Sequence, residues 1–346
     1  MRSMSRQTPL RIIQVGLGNW GQSWAKNIVA PNPNVETVAW VEIDAPTLQQ
    51  AQQRLELPEA RCFTSFENAL KSVEADAVLI TASLPGHVPS AETALRASKH
   101  VLIEKPFAPS VADAEMLVSL AQQQGKILMV SQNYRFFPVV RAVTELIHNQ
   151  TIGRLGVVNI DFRRYDNIQP AEANRHYHIW EPLLVDMSIH HFDLMRMVLN
   201  QEPLRIQCST WNTPWSKYVE PSTGVMTIFF DGGTVVNYRG SWTSTAPQTD
   251  WAGEWSMEGE KGILTWTGRG EIPEQATVHL RDEEPQQVEL SPLPATDRAG
   301  SLNAFVQAID TGTEPETSGR NNIPTLKLMF AAIESAQKGG VPVDIG

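Results

Sequence analysis

The first 133 residues alternate short apolar runs with segments of helix length, and this alternation limits the fold more than any other feature of the chain. The apolar runs lie at 11–15, 37–42, 77–81, 100–103 and 127–130, with a shorter one near 60–63. Segments of helix length at 19–29, 46–55, 87–97 and 110–124 separate them. A helix between two strands carries the chain back, so that the second strand can pair parallel to the first. The alternation therefore predicts a parallel sheet with helices on its faces and right-handed crossovers.

The pattern changes after Pro138. A helix near 139–149 precedes a strand at 156–165, an apolar helix at 183–199, and a series of strands from 204 to about 290. The turn residues DGGT at 231–234 and EGEKGIL at 258–264 indicate hairpins, and two helices follow near 300–310 and 323–338. We therefore predict an α/β chain of two domains, with an α+β domain at 134–346 following the parallel domain at 1–133.

Composition excludes several classes of function. The net charge of −10 argues against a nucleic-acid partner, which requires a basic surface. No apolar run approaches the roughly 18 residues of a membrane span, and the N-terminus lacks the apolar core of a signal peptide. The chain has only two cysteines, Cys62 and Cys208, which fits the reducing cytoplasm.

A glycine-rich turn, VGLGNWG, follows the first predicted strand and opens the first helix. Gly16 permits the tight turn, Gly18 lets the backbone approach a pyrophosphate, and Gly21 brings the helix close to the strand. Backbone N–H groups from Asn19 through Trp20 to Gly21 can hold the phosphate charge. The motif in this position predicts a dinucleotide site.

Glu42 ends the second predicted strand, 24 residues after Gly18. A carboxylate at this place accepts hydrogen bonds from the adenosine ribose and repels a 2′-phosphate. The sequence therefore favours NAD over NADP, although Glu42 could also be an ordinary surface charge at a strand end.

Glu104, Lys105 and Pro106 follow the fifth predicted strand, at the edge of a parallel sheet where ligands bind. With VGLGNWG, NYRFFP at 133–138 and DMSIHHFD at 186–193, this EKP triplet resembles the glucose–fructose oxidoreductase/inositol dehydrogenase (Gfo/Idh/MocA) family. The resemblance implies an N-terminal Rossmann domain and a C-terminal domain whose open, mostly antiparallel sheet supports oligomers. It also implies NAD(P)-dependent oxidation of a sugar, polyol or related hydroxyl compound.

The same resemblance assigns roles to individual residues. Lys105 matches the family's motif lysine, and Asp186 and His190 match its D-x-x-x-H pair. His87 matches a histidine often found near the nicotinamide, although it could also cap the helix at 87–97. Glu181 and Pro182 replace consecutive glycines, and Ser188 replaces another glycine, which puts the identity of the substrate in doubt more than the chemistry.

The apolar helix at 183–199 carries these ionisable residues for a reason that the sequence leaves open. At 100° per residue, Asp186, His190 and Asp193 form one polar stripe within about 60°. A metal site lacks a second cluster of ligands, and a salt-bridged aspartate beside a satisfied core histidine is a simpler alternative. With Lys105 and the glycine turn also present, we expect a proton relay made by Lys105, His190 and Asp186, and no metal.

A pocket for the substrate is expected beside this helix and the strand at 156–165. Six residues lie near enough in sequence to line this pocket, although each could instead serve packing. They are Arg163, Arg164, Tyr165, His176, His178 and Trp180. Several strands of the second half, such as VMTIFF, are apolar on both faces, which favours a homodimer or homotetramer. Two other functions remain open: an NAD-dependent glycosidase that uses transient oxidation, and a non-catalytic sensor that binds dinucleotide.

Overall fold

The computed structural model describes residues 8–270 and 273–346, which divide into two compact units. One unit joins the residues up to Asn133 with Ala295–Ile323, and the other joins Tyr134–Pro294 with Pro324–Gly346. Within the described ranges, we find no helix with the length and apolarity that crossing a membrane requires.

The first unit contains a six-stranded sheet in which every pairing between the described strands is parallel. Its strands, in the spatial order β3-β2-β1-β4-β5-β6, are β1 (Leu10–Val15), β2 (Val35–Val41), β3 (Cys62–Phe63), β4 (Ala77–Ile80), β5 (His100–Ile103) and β6 (Leu128–Val130). The chain order reverses between β1 and β4, which is where open α/β sheets bind ligands. The predicted parallel sheet is confirmed.

Five helices connect these strands: α1 (Asn19–Trp24), α2 (Ala45–Leu55), α3 (Phe66–Ser72), α4 (Leu84–Arg96) and α5 (Val111–Gln123). Helix α1 continues through a π-helical turn at Ala25–Val29. The sequence pattern did not predict α3, which begins where the Ser65 hydroxyl accepts a hydrogen bond from the backbone N–H of Asn68.

The second unit is built on a nine-stranded sheet in the order β14-β13-β12-β11-β7-β10-β9-β8-β15. The chain enters it through α6 (Pro138–His148), β7 (Leu155–Arg163), a π-helical turn at Pro182–Ser188 and α7 (Ile189–Leu199). The next strands are β8 (Pro203–Trp211), β9 (Thr223–Phe230), β10 (Val235–Ser241), β11 (Glu254–Gly259), β12 (Gly262–Thr267), β13 (Gln275–Leu280) and β14 (Gln286–Gln287). Strands β7 and β10 pair in parallel, and the other pairings between described strands are antiparallel, as predicted.

The last elements are α8 (Asp297–Thr311), α9 (Gly319–Gln337) and β15 (Val343–Asp344). The sequence places a single boundary at 133/134, and the structure also divides the chain after Asn133. Residues 295–323, however, group with the first unit. There the backbone N–H of Val130 donates to the Thr317 carbonyl, and Asn32 donates to Asn303.

Candidate functional site

The glycine turn follows β1, and each of its three glycines meets a different spatial requirement. Gly16 has φ of +96°, and a Cβ built on it would lie 2.4 Å from the backbone nitrogen of Ala82. A Cβ on Gly21 would lie 2.0 Å from the Gly16 carbonyl oxygen, so that helix α1 starts close against the turn. A Cβ on Gly18 would meet no atom within 4 Å, so this position is open to an approaching group. The turn therefore fits a dinucleotide pyrophosphate.

Glu42 lies at the end of β2 and is fixed beside this turn. Its Oε2 accepts a hydrogen bond from the Leu17 backbone N–H at 2.8 Å, and its Oε1 accepts one from the Asp44 N–H at 3.1 Å. A carboxylate held in this way can present lone pairs to the ribose of a nucleotide, because each oxygen can accept more than one bond.

Glu104 is buried at the end of β5 and ties this strand to helix α1. The Trp24 indole donates to its Oε1 at 2.6 Å. Burial raises the pKa of Glu104, and hydrogen bonds from the Trp20 and Trp24 side chains oppose this rise. Arg298 lies over the rings of Trp20 and Trp24, at 4.2 Å and 5.5 Å from their centroids. Glu104 thus belongs to one cluster with Trp20 and Trp24 of α1.

His87 is buried in the first turns of α4 and does not cap the helix, whose N-cap is Ser83. Its Nδ1 lies 2.9 Å from the Pro106 carbonyl oxygen, and its Nε2 lies 2.9 Å from that of Ala82. Burial lowers the pKa of His87, and the charge of Lys105 also lowers it. His87 therefore joins the start of α4 to the segment that follows Lys105, itself half-buried after β5.

In the second unit, the π-helical turn at Pro182–Ser188 holds Asp186. The Oδ2 of Asp186 lies 3.0 Å from Nε2 of His176, and Nδ1 of the same imidazole lies 3.0 Å from Oδ2 of Asp166. The Tyr218 hydroxyl donates to Asp166 at 2.9 Å. One imidazole therefore bridges two carboxylates.

The charge of His176 follows from this geometry. Burial lowers its pKa, but the hydrogen bonds and charges of Asp166 and Asp186 outweigh burial and raise the pKa to about 9. The hydrogen bond from His176 in turn lowers the pKa of Asp166. At neutral pH the cluster therefore contains an imidazolium between two carboxylates.

His190 is buried in α7, and its ring stacks on Tyr134 with centroids 4.1 Å apart and planes 7° apart. Arg269 donates to the Tyr134 hydroxyl at 2.9 Å and lies 4.3 Å from the centre of its ring. Asp193, the third residue of the expected stripe, forms an ion pair with Arg135 instead. The angle of 100° per residue used to predict the stripe does not apply before Ile189, because residues 182–188 form a wider π-helical turn.

Both parts of the chain match the models of one protein family. An oxidoreductase family with an NAD-binding Rossmann fold matches residues 10–132, and the C-terminal alpha/beta domain of the same family matches residues 144–345. The chain belongs to the Gfo/Idh/MocA oxidoreductase family. The resemblance inferred from the sequence motifs is confirmed, and so is the assignment of the chain as an oxidoreductase with an NAD-binding domain.

Individual relatives match over most of the chain. A Sinorhizobium fredii protein, y4oX, is 27% identical over 95% of this chain and 94% of its own length. The trans-1,2-dihydrobenzene-1,2-diol dehydrogenase of Mus musculus is 31% identical over 67% of each. The structure of an inositol dehydrogenase homolog from Azotobacter vinelandii, complexed with NADH and myo-inositol, aligns with a TM-score of 0.83 at 19% identity over 98% of each chain.

The remaining sequence candidates for this Gfo/Idh/MocA protein lie in two segments of the second unit. The Arg164 guanidinium carbon lies over the Trp251 ring, 4.1 Å from its centroid, and Tyr165 beside it is exposed. His178 bonds to the Ala171 carbonyl, and Trp180 is exposed. Asp166, which completes the bridge through His176, was missed because nothing in the sequence pattern distinguishes it from a surface carboxylate. Within the described ranges, no group of three or more His, Cys, Asp or Glu side chains is arranged so that it could hold a metal ion.

We expect Gly16→Ala and Gly18→Ala to have different effects. Gly16→Ala should destabilise the protein by about 1–3 kcal/mol, because its φ is positive and its Cβ meets backbone. Gly18→Ala should leave the melting temperature unchanged but weaken NAD binding at least about tenfold, because the methyl group fills the space for the pyrophosphate. Thermal melting and calorimetric titration with NAD measure both effects. Normal NAD affinity in Gly18→Ala would contradict the assignment of this turn.

Proposed function

We propose that this protein oxidises or reduces a sugar, polyol or related hydroxyl compound, with NAD as the hydride carrier and Lys105, His190 and Asp186 as its proton relay. The observation that carries the proposal is the exposure of one carboxylate. Between residues 182 and 199 every ionisable side chain is buried except Asp186, whose side chain is 38% exposed. The named activity of the murine relative and the myo-inositol bound to the Azotobacter homolog support the substrate class.

Each residue of the relay has a distinct task. Nicotinamide supplies the acceptor for hydride, so oxidation of a hydroxyl group also requires a base for its proton. A free lysine, with a pKa near 10.4, is a weaker base at neutral pH than histidine, which titrates near neutrality. We propose that Lys105 and His190 share the proton, and that Asp186 accepts a hydrogen bond from the reacting hydroxyl and orients it.

We expect Lys105→Ala, His190→Ala and Asp186→Asn each to reduce turnover at least about a hundredfold, because each removes a proton acceptor or the group that orients the hydroxyl. A panel of sugars and polyols followed by NADH absorbance measures turnover, and calorimetry should show NAD affinity within about twofold of the wild type. Exposed residues provide matched controls, namely Lys71→Ala and His279→Gln.

The outcomes separate this function from its two rivals. Wild-type turnover in all three variants would refute the relay. NAD that stays bound through catalysis and is not consumed, with cleavage of a glycoside, would indicate a glycosidase. Binding of NAD without turnover of any panel compound or glycoside would indicate a sensor.

We also propose that the enzyme prefers NAD to NADP, because the anchored carboxylate of Glu42 would repel a 2′-phosphate. Glu42→Ala should reduce the ratio of NAD to NADP affinity at least about tenfold, since a charge repulsion of about 1.4 kcal/mol or more is lost. Titration of both nucleotides measures the ratio. Glu36→Ala, on the exposed surface of the same strand, is the control, and an equal ratio in wild type and Glu42→Ala would oppose the role of Glu42.

The second unit supports a further part of the proposal, a homodimer or homotetramer formed through its sheet. Val225 and Phe229 on β9 lie on the face of the sheet that is not fully buried, with Val225 42% exposed. Val225→Lys should dissociate the assembly, because a charge would replace apolar surface at the contact. Light scattering after gel filtration measures the mass. A monomeric wild type, or an unchanged mass in Val225→Lys, would contradict this interface.

A further inference from the structure

We propose that His176 is a positioning residue of this enzyme: as an imidazolium held between Asp166 and Asp186, it keeps the Asp186 carboxylate ionised and oriented toward the substrate hydroxyl. The inference rests on the proposed role of Asp186, and it assigns to the site a histidine outside the D-x-x-x-H motif.

The hydrogen-bond contacts of the two His176 ring nitrogens support a positive charge on the ring. Nε2 of His176 lies 3.0 Å from Asp186, and Nδ1 lies 3.0 Å from Asp166. Ionised carboxylates only accept hydrogen bonds, and a neutral imidazole has a single N–H. Both contacts can be hydrogen bonds at once only if both ring nitrogens carry protons. The ring is therefore a cation when the two carboxylates are ionised.

The ring is also fixed in place, as a positioning role requires. The Trp242 ring meets it edge to face, with centroids 4.7 Å apart and planes 86° apart. The Tyr218 hydroxyl lies 2.9 Å from Nδ1 and also donates to Asp166. The Asn174 side chain accepts a hydrogen bond from the backbone N–H of His176 at 3.0 Å. These contacts hold both the ring and its backbone relative to Asp186.

The titratable groups that face the ring come from three segments. Asp166 follows β7, Asp186 lies in the π-helical turn, and Tyr218 lies in the loop between β8 and β9. Tyr218 remains neutral, because burial and the charge of Asp166 raise its pKa. Two carboxylates and one imidazolium leave the cluster with one negative charge. Asp186 therefore stays an acceptor for a hydroxyl group while its position is fixed.

The proposed role makes the activity depend on pH. The direction in which the His176 pKa is shifted sets the sign of this dependence. The His176 pKa is raised from 6.5 to about 9, so the stabilising interaction is fully present below about pH 6.5 and is lost as the pH rises through 9. Deprotonation removes one of the two N–H donors and releases a carboxylate from its partner. The activity of the wild type should then fall on the alkaline side near pH 9.

The first test is His176→Gln, whose amide can still donate a hydrogen bond but carries no charge. We expect kcat to fall about tenfold to a hundredfold at pH 7.5 because Asp186 is less well oriented, and the alkaline limb near pH 9 to disappear. Turnover is measured with NAD and the panel compound that the wild type oxidises fastest. NAD affinity should be unchanged. His279→Gln, an exposed histidine on β13, should retain the wild-type rate and profile.

The second test does not depend on turnover. In protein labelled at histidine ¹³Cε1, the resonance that is missing from His176→Gln should titrate near pH 9 in the wild type. In Asp166→Asn, which keeps the contact with Asp186, the midpoint should move downward because one of the two negative charges is gone. This variant also serves if His176→Gln fails to fold, since its alkaline limb of activity should move to lower pH in parallel. A wild-type midpoint below about pH 7 would overturn the proposal.

Failure of this inference can be distinguished from failure of the proposed function. If Asp186→Asn retains full turnover, the proposed function of Asp186 is wrong, whatever the histidine titration shows. If Asp186→Asn is inactive while His176→Gln keeps the wild-type rate and pH profile, only the positioning role of His176 is refuted.

Discussion

Burial of helix α7 is the constraint on which the second unit depends. A charge in a dry interior is costly unless it is paired, so each ionisable side chain of this helix needs a defined neighbour. Asp193 accepts two hydrogen bonds from Arg135, at 2.6 and 2.7 Å, and both side chains are almost fully buried. Removing one partner of such a pair typically costs about 3–5 kcal/mol. The pair thus fixes the helix that carries His190, three residues before Asp193.

Two histidines of the second unit show how the environment sets the chemistry of one residue type. Burial lowers the pKa of His191 to about 4, so its neutral ring bonds to the Tyr238 hydroxyl and the Trp251 carbonyl. Two carboxylates raise the pKa of His176 to about 9, against the effect of burial. The neutral ring serves packing within the core. The charged ring lies where a carboxylate reaches the surface, which suits a site that binds a polar substrate.

In the first unit, two carboxylates are also held in place by hydrogen bonds from neighbouring groups. Glu42 accepts a hydrogen bond from the backbone of the glycine turn, and Glu104 accepts one from Trp24 in the helix that follows. Both acids lie at the carboxyl ends of strands in the parallel sheet, which is the edge where open α/β sheets bind ligands. Close packing at Gly16 and Gly21 leaves the turn little freedom, while Gly18 remains open. The turn proposed to bind the nucleotide is therefore closely packed at two of its glycines and open at the third.

The sequence by itself determined the features that depend on neighbouring residues: the alternation that gives a parallel sheet, the glycine turn, and the hairpins after Asp231 and Glu258. Those patterns are local, so spacing and residue type suffice to predict them. Only the tertiary structure decided that residues 295–323 join the first unit, that Asp186 sits in a π-helical turn, and that His176 bridges Asp166 and Asp186. The segment from 166 to 181 has no period, and its side chains meet only through the folding of an irregular loop. Contacts of that kind depend on tertiary packing, so they cannot be predicted from the residue types and spacing of a short segment.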